Sequence, residues 1–154
     1  MDITQEDKRL FLERHFKQEV KMLLQSAVVY FNPKSYRSEV ALESFLIHIR
    51  NLHEFFYEYG KKKTAYALDY NKKWKIKEKL DELKIWIPQI NNYLLHLGYE
   101  RHLVESKPYK PYLVDKLYIH FRKLILDFWS ELYKKYKTPD LIRIIKKLEM
   151  AKLV

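Results

Sequence analysis

Six histidines and no cysteine set the chemistry open to this 154-residue chain. Without cysteine there is no disulfide framework, thiol nucleophile, iron–sulfur cluster or Cys-based zinc site. The glycines Gly60 and Gly98 are too few for the clustered loop that cradles phosphates in Rossmann and P-loop proteins. No serine carries the flanking glycines of a hydrolase nucleophile. Helical metal sites want two ligands at i and i+3 or i+4, and no two histidines have that spacing, so neither metal nor cofactor is expected.

Two segments remain that could do chemistry. In Asn91-Asn92-Tyr93-Leu94-Leu95-His96-Leu97-Gly98-Tyr99-Glu100-Arg101, Asn92 and His96 are four apart and share a helical face. That face is not the Ile90, Leu94 and Leu97 face, which should meet the core. An imidazole beside an amide can act as a general acid or base near neutral pH, or can serve as a polar contact between helices. In His48-Ile49-Arg50-Asn51-Leu52-His53-Glu54-Phe55-Phe56, Arg50 and Glu54 can pair on an exposed face. His53 falls near the centre of the apolar face and His48 near its edge, so a buried His53 needs a hydrogen-bond partner.

Together these segments resemble a known pattern. Phe45-Leu46-x-His48-x-Arg50-Asn51-Leu52-x-x-Phe55-Phe56, then Asn91-x-x-x-x-His96-Leu97-x-Tyr99-x-Arg101 and Lys107-Pro108-Tyr109, is similar to a family of uncharacterised bacterial all-helical proteins. The segment from Asn91 to His96, with Leu97-Gly98-Tyr99, also resembles the ribonuclease motif of the HEPN superfamily, in which an Arg precedes a His by a short spacer. Those ribonucleases bring the Arg and His of two subunits together and cut RNA without metal, using its 2′-hydroxyl as nucleophile. The resemblance implies an RNA-associated homodimer of a defence or toxin–antitoxin type. In it His96 would be the general acid or base, Arg101 or Arg50 would stabilise phosphate charge, and Asn92 would orient. Asn91 stands where that motif has its Arg, and an amide cannot supply a cationic fork. Arg9 and His15 have a matching separation without the flanking pattern. The residues alone leave two non-enzymatic readings open: a module that docks a partner protein, with His48, His53 and His96 in packing roles, and a structural nucleic-acid-binding protein.

Charge favours an anionic partner. Lys+Arg is 30 and Asp+Glu is 20, a net +10. Residues 61–79 hold eight lysines against Asp69 and Glu78. The candidate nucleic-acid contacts are Lys61, Lys62, Lys63, Lys72, Lys73, Trp74 and Lys75, joined by Lys134 and Lys135 between Tyr133 and Tyr136. Lysine neutralises phosphates, and an exposed ring such as that of Trp74 can stack on an unpaired base. Contact with about six phosphates would give a log–log salt slope of about −4 to −5. The competing reading is a solvated lysine face with Trp74 and the tyrosines packed into the core.

These residues must be held by helices. Apolar positions recur every three and four residues from Leu10 to Phe31, with Thr4 as cap, Asp7 in the first turn and Asn32-Pro33 as the stop. A second helix starts near Ser35 or Ser38, runs through Tyr57 and stops at Gly60, burying Leu42, Phe45, Leu46, Ile49, Leu52 and Phe56. Residues 61–79 read as a loop with short helical pieces. A helix follows over about 77–99, kinked or split at Pro88, then a loop at 106–111. A long helix spans about 112–136, with Leu113, Leu117, Phe121, Leu124, Phe128 and Leu132 in register. Thr138-Pro139 opens the last one. No stretch alternates with period two for long enough to demand a strand. The expectation is a single all-α domain over residues 1–154, a mostly up-and-down bundle with extra short helices. No apolar run is long enough to span a bilayer, and the acidic, polar start does not read as a signal peptide, so a cytoplasmic protein without membrane contact is expected. Abundant Lys and Glu fit a thermophilic source, as they fit an AT-rich genome.

Overall fold

Thr4 starts the first helix by a reciprocal cap. Its Oγ1 accepts from the Asp7 amide at 3.1 Å, and Asp7 Oδ2 accepts from the Thr4 amide at 2.9 Å. The computed structural model describes residues 3–32, 38–60, 64–95, 114–151 and 153. In chain order its elements are α1 (Gln5–Phe11), a π-helical turn (Leu12–Phe16), α2 (Lys17–Phe31), α3 (Ser38–Tyr57), α4 (Ala67–Tyr70), α5 (Leu83–Leu95), α6 (Val114–Glu131), a 3₁₀ turn (Lys134–Tyr136) and α7 (Pro139–Met150). No strand occurs among the described residues, and the protein is an all-α bundle.

The first helical stretch is not the uninterrupted helix its periodicity predicts. A wide turn separates α1 from α2 and buries both Leu12 and Phe16, while Arg14 and His15 face solvent. α3 buries the predicted face of Leu42, Phe45, Leu46, Ile49, Leu52 and Phe56. It packs on α2, α4, α5 and α6, and so stands at the centre of the bundle. His53 lies off the centre of that face, half-buried, with its ring stacked on Tyr57 at 4.7 Å. Gly60 follows α3 with a φ of 97°, a backbone that only glycine adopts without strain.

Two helix boundaries depart from expectation. α5 begins at Leu83, about six residues late, because 77–82 are used differently. Lys77, Glu78 and Glu82 each form ion pairs with α6. A non-helical segment can lay such residues along one neighbour, whereas a helix would rotate them around its axis. α5 continues through Pro88 rather than splitting there. α6 ends at Glu131, five residues before the predicted end, and the following 3₁₀ turn points Tyr136 inward and Lys134 and Lys135 outward. α7 opens as read: Thr138 Oγ1 accepts from the Leu141 amide and Pro139 takes the first helical position. At its other end Arg122 donates to the Leu148 and Glu149 carbonyls at 3.1 and 2.8 Å. The loop read at 106–111 lies outside the described residues.

The core is aromatic at its middle. The Phe128 ring meets Phe16 at 5.4 Å, Phe55 at 5.3 Å, Phe56 at 5.8 Å, Trp74 at 5.5 Å and Tyr70 at 6.2 Å, all edge to face. Phe128→Ala is expected to lower unfolding free energy by about 3–5 kcal/mol, at the upper end for a large-to-small core change. Urea unfolding followed by circular dichroism reads this; a loss under about 1 kcal/mol would show that the cluster is not the centre of the core.

Candidate nucleic-acid interface

The lysine-rich stretch that follows α4 is held by one buried ring and a ladder of polar contacts. Trp74 is 5% exposed and packs on Phe56 at 5.7 Å as well as on Phe128. From there residues 71–82 run antiparallel to α6. Asn71 Nδ2 donates to Glu131 Oε2 at 3.4 Å, and Lys77 Nζ sits 3.1 Å from Glu131 Oε1 and 3.7 Å from Asp127 Oδ1. Glu78 pairs with Lys123 at 2.5 Å and Glu82 with Lys116 at 3.3 Å. The hydrogen bond from Lys123 holds the Glu78 carboxyl below its ordinary pKa, and the bond to Glu131 raises the Lys77 ammonium above its own.

The same contacts bring two basic stretches side by side. Besides the Asn71–Glu131 bond, Tyr70 meets Tyr136 at 5.4 Å. Lys72, Lys73 and Lys75 thereby neighbour Lys134 and Lys135, sixty residues away in sequence. All five are exposed, and none makes an ion pair among the described residues. Lys77 differs, being neutralised by α6. Lys61, Lys62 and Lys63 lie outside the described residues.

Trp74 requires a correction. Its ring is enclosed by the core and cannot stack on a base. The reason is a turn: the Trp74 amide donates to the Asn71 carbonyl at 2.9 Å, which leaves Lys72 and Lys73 exposed at the tip while the Trp74 ring enters the core and Ile76 is half-buried. The ring that is available beside these lysines is Tyr133, 57% exposed, from the Tyr133–Tyr136 stretch in which rings and ammonium groups interleave. Lys135 Nζ lies 6.0 Å from its centroid and 5.0 Å from that of Tyr136, so the cation rests on the rim of the aromatic pair. Lys8, which donates to the Asp69 carbonyl at 3.0 Å, adds a cation beside α4.

The proposed catalytic set is only partly in view. His96 and Arg101 lie outside the described residues. Asn92 is half-buried in the last turn of α5 and Arg50 half-buried on α3, two helices that pack together. Three other histidines have firm partners. His48 Nδ1 lies 2.6 Å from Glu19 Oε2, and the Asn51 amide donates to both Glu19 oxygens at 3.2 Å. The Tyr57 hydroxyl lies 2.6 Å from His120 Nε2, and His53 stacks on the Tyr57 ring. Glu19 was not foreseen as a partner because it lies 29 residues from His48, on another helix. Among the described residues no group of three His, Asp or Glu could hold a metal, and no helix is long and apolar enough to cross a membrane.

Burial lowers the His120 pKa, with Lys123 and His53 acting in the same sense and Glu78 opposing. The folded protein therefore favours the neutral ring, whose Nε2 shares a hydrogen bond with the Tyr57 hydroxyl. Because the folded pKa is depressed, this contribution is complete above the unfolded value of about 6.5 and is lost as pH falls from there through the folded value. Stability from urea melts should thus fall between about pH 7 and pH 5, and fall less steeply in His120→Gln. Equal slopes in both proteins would show that His120 is not the group that titrates.

No protein-family model, curated protein or solved structure matches this chain.

Proposed function

We propose that this protein binds single-stranded nucleic acid, RNA in particular, through Lys72, Lys73, Lys75, Lys134 and Lys135 around Tyr133. One observation carries the reading: two distant stretches, joined by the Asn71–Glu131 and Tyr70–Tyr136 contacts, carry five exposed lysines with no acidic partner among the described residues, next to an exposed ring. Surface lysines usually meet carboxylates when these are near, as Lys77, Lys116 and Lys123 do. A cluster left unneutralised suits phosphates, whose binding releases condensed counterions. Tyr133 supplies a face on which an unpaired base can stack, which favours a single strand over a duplex. The preference for RNA rests on the HEPN-like motif around His96, and so does any cleavage. In that chemistry His96 moves the proton, while Arg50 or Arg101 faces the phosphate and Asn92 orients.

Anisotropy of labelled single-stranded RNA across a salt series, with EDTA present, tests this. Five phosphate contacts on a single strand give a log–log slope of about −3.5, or roughly a hundredfold loss from 50 to 200 mM salt. Lys72→Glu with Lys134→Glu should weaken binding at least tenfold and reduce the slope by about 1.4. Tyr133→Ala should cost about 1–3 kcal/mol. Lys84→Glu, on a lysine that pairs with Asp81, should leave affinity unchanged. Cleavage of the same RNA by wild type but not by His96→Ala would add ribonuclease activity, and binding without cleavage would leave a binding protein. Absence of binding at low salt, or an equal loss in Lys84→Glu, would refute the assignment.

A further inference from the structure

Elsewhere, between α2 and α7, lies an open groove of about 740 Å³. Lys17 and Lys21 line it from α2, and Arg143 and Lys147 from α7. Each pair is four residues apart and so stacked along one helix face. Among the described residues that line the groove, Asp140 is the one carboxylate facing these four cations, 3.2 Å from Lys17 Nζ and 3.7 Å from Arg143 Nη1. The apolar lining is aliphatic: Leu24, Val28 and Val29 from α2, with Ile144 from α7. Val28 is 45% exposed, unusual for a valine amid packed helices.

The geometry points to a docking groove for an acidic amphipathic helix of a partner protein. Charge complementarity selects the occupant: an apolar ridge would meet Val28 and Ile144 while flanking carboxylates meet cations on both walls. From Lys17 to Val29 the α2 wall is about 18 Å long at 1.5 Å per residue, room for about three turns of a docked helix. Nucleic acid fits less well, since no aromatic ring among the described residues lines the groove for a base to stack on. A bilayer would need a convex apolar face, and this one is concave. A second copy of a chain carrying +10 would bring like charge. The groove shares no residue with the five-lysine cluster, so this inference stands independently of RNA binding.

The test uses the full chain and labelled synthetic helical peptides with a Leu, Ile or Phe ridge flanked by Glu. Anisotropy is read against scrambled peptides of equal composition and against single-stranded RNA as competitor. At least one ridged peptide should bind at least tenfold more tightly than its scramble. Lys21→Glu with Lys147→Glu, and separately Val28→Asp, should each weaken it tenfold or more with an unchanged circular dichroism spectrum. Asp140→Asn should tighten it, although loss of a carboxylate from the first turn of α7 lowers stability, an outcome a merely structural Asp140 would not give. The inference is overturned if no ridged peptide outbinds its scramble, or if the groove variants bind as wild type does. It is equally overturned if those variants lose RNA rather than peptide, which would make the groove a nucleic-acid site.

Discussion

Phe128 is the point to which the rest of the structure is tied. Its ring edges touch five others, drawn from the π-helical turn, α3, α4 and the segment that follows α4. Aromatic pairs of this kind contribute beyond the area they bury and favour defined mutual angles. The consequence for function runs through Trp74. Anchoring that ring against Phe128 fixes an irregular, otherwise highly charged segment on the bundle surface. The indole Nε1 has no hydrogen-bond partner among the described residues, so the residue is held by its ring and not by its polar edge.

With Trp74 turned in, its neighbours Lys72, Lys73 and Lys75 stay exposed, the first two in the turn that the Trp74–Asn71 backbone bond closes. The ion pairs of Lys77, Glu78 and Glu82 with α6 extend the same path and decide which charges are spent. Those ahead of Lys77 remain free of acidic partners, and the turn after α6 adds Lys134 and Lys135 beside them. A hydrophobic anchor thus sets an electrostatic surface. The α2–α7 groove shows a different arrangement, in which cations border aliphatic side chains.

Local chemistry made much of this legible in the sequence. Thr4 with Asp7 and Thr138 with Pro139 act within a few residues of themselves, so their caps could be read directly. The apolar face of α3 follows from spacing alone. What could not be read depends on distant partners. The orientation of Trp74 is set by Phe56 and Phe128, the late start of α5 by acceptors and donors on α6, and the place of His48 by Glu19. The π-helical turn is likewise a packing outcome, since the sequence around Leu12 carries no breaker. Of the candidate surface, Lys72, Lys73, Lys75, Lys134 and Lys135 are exposed and Trp74 is buried, while Lys61, Lys62, Lys63, His96 and Arg101 lie outside the described residues.

The central claim is that one lysine cluster, positioned by Trp74, meets the nucleic acid. Lysine acetylation footprinting by mass spectrometry, with and without saturating single-stranded RNA, addresses it residue by residue. The account predicts protection of Lys72, Lys73, Lys75, Lys134 and Lys135 together, with Lys84 and Lys147 modified equally in both states. Protection centred on Lys21 and Lys147, or spread evenly over all exposed lysines, would contradict it.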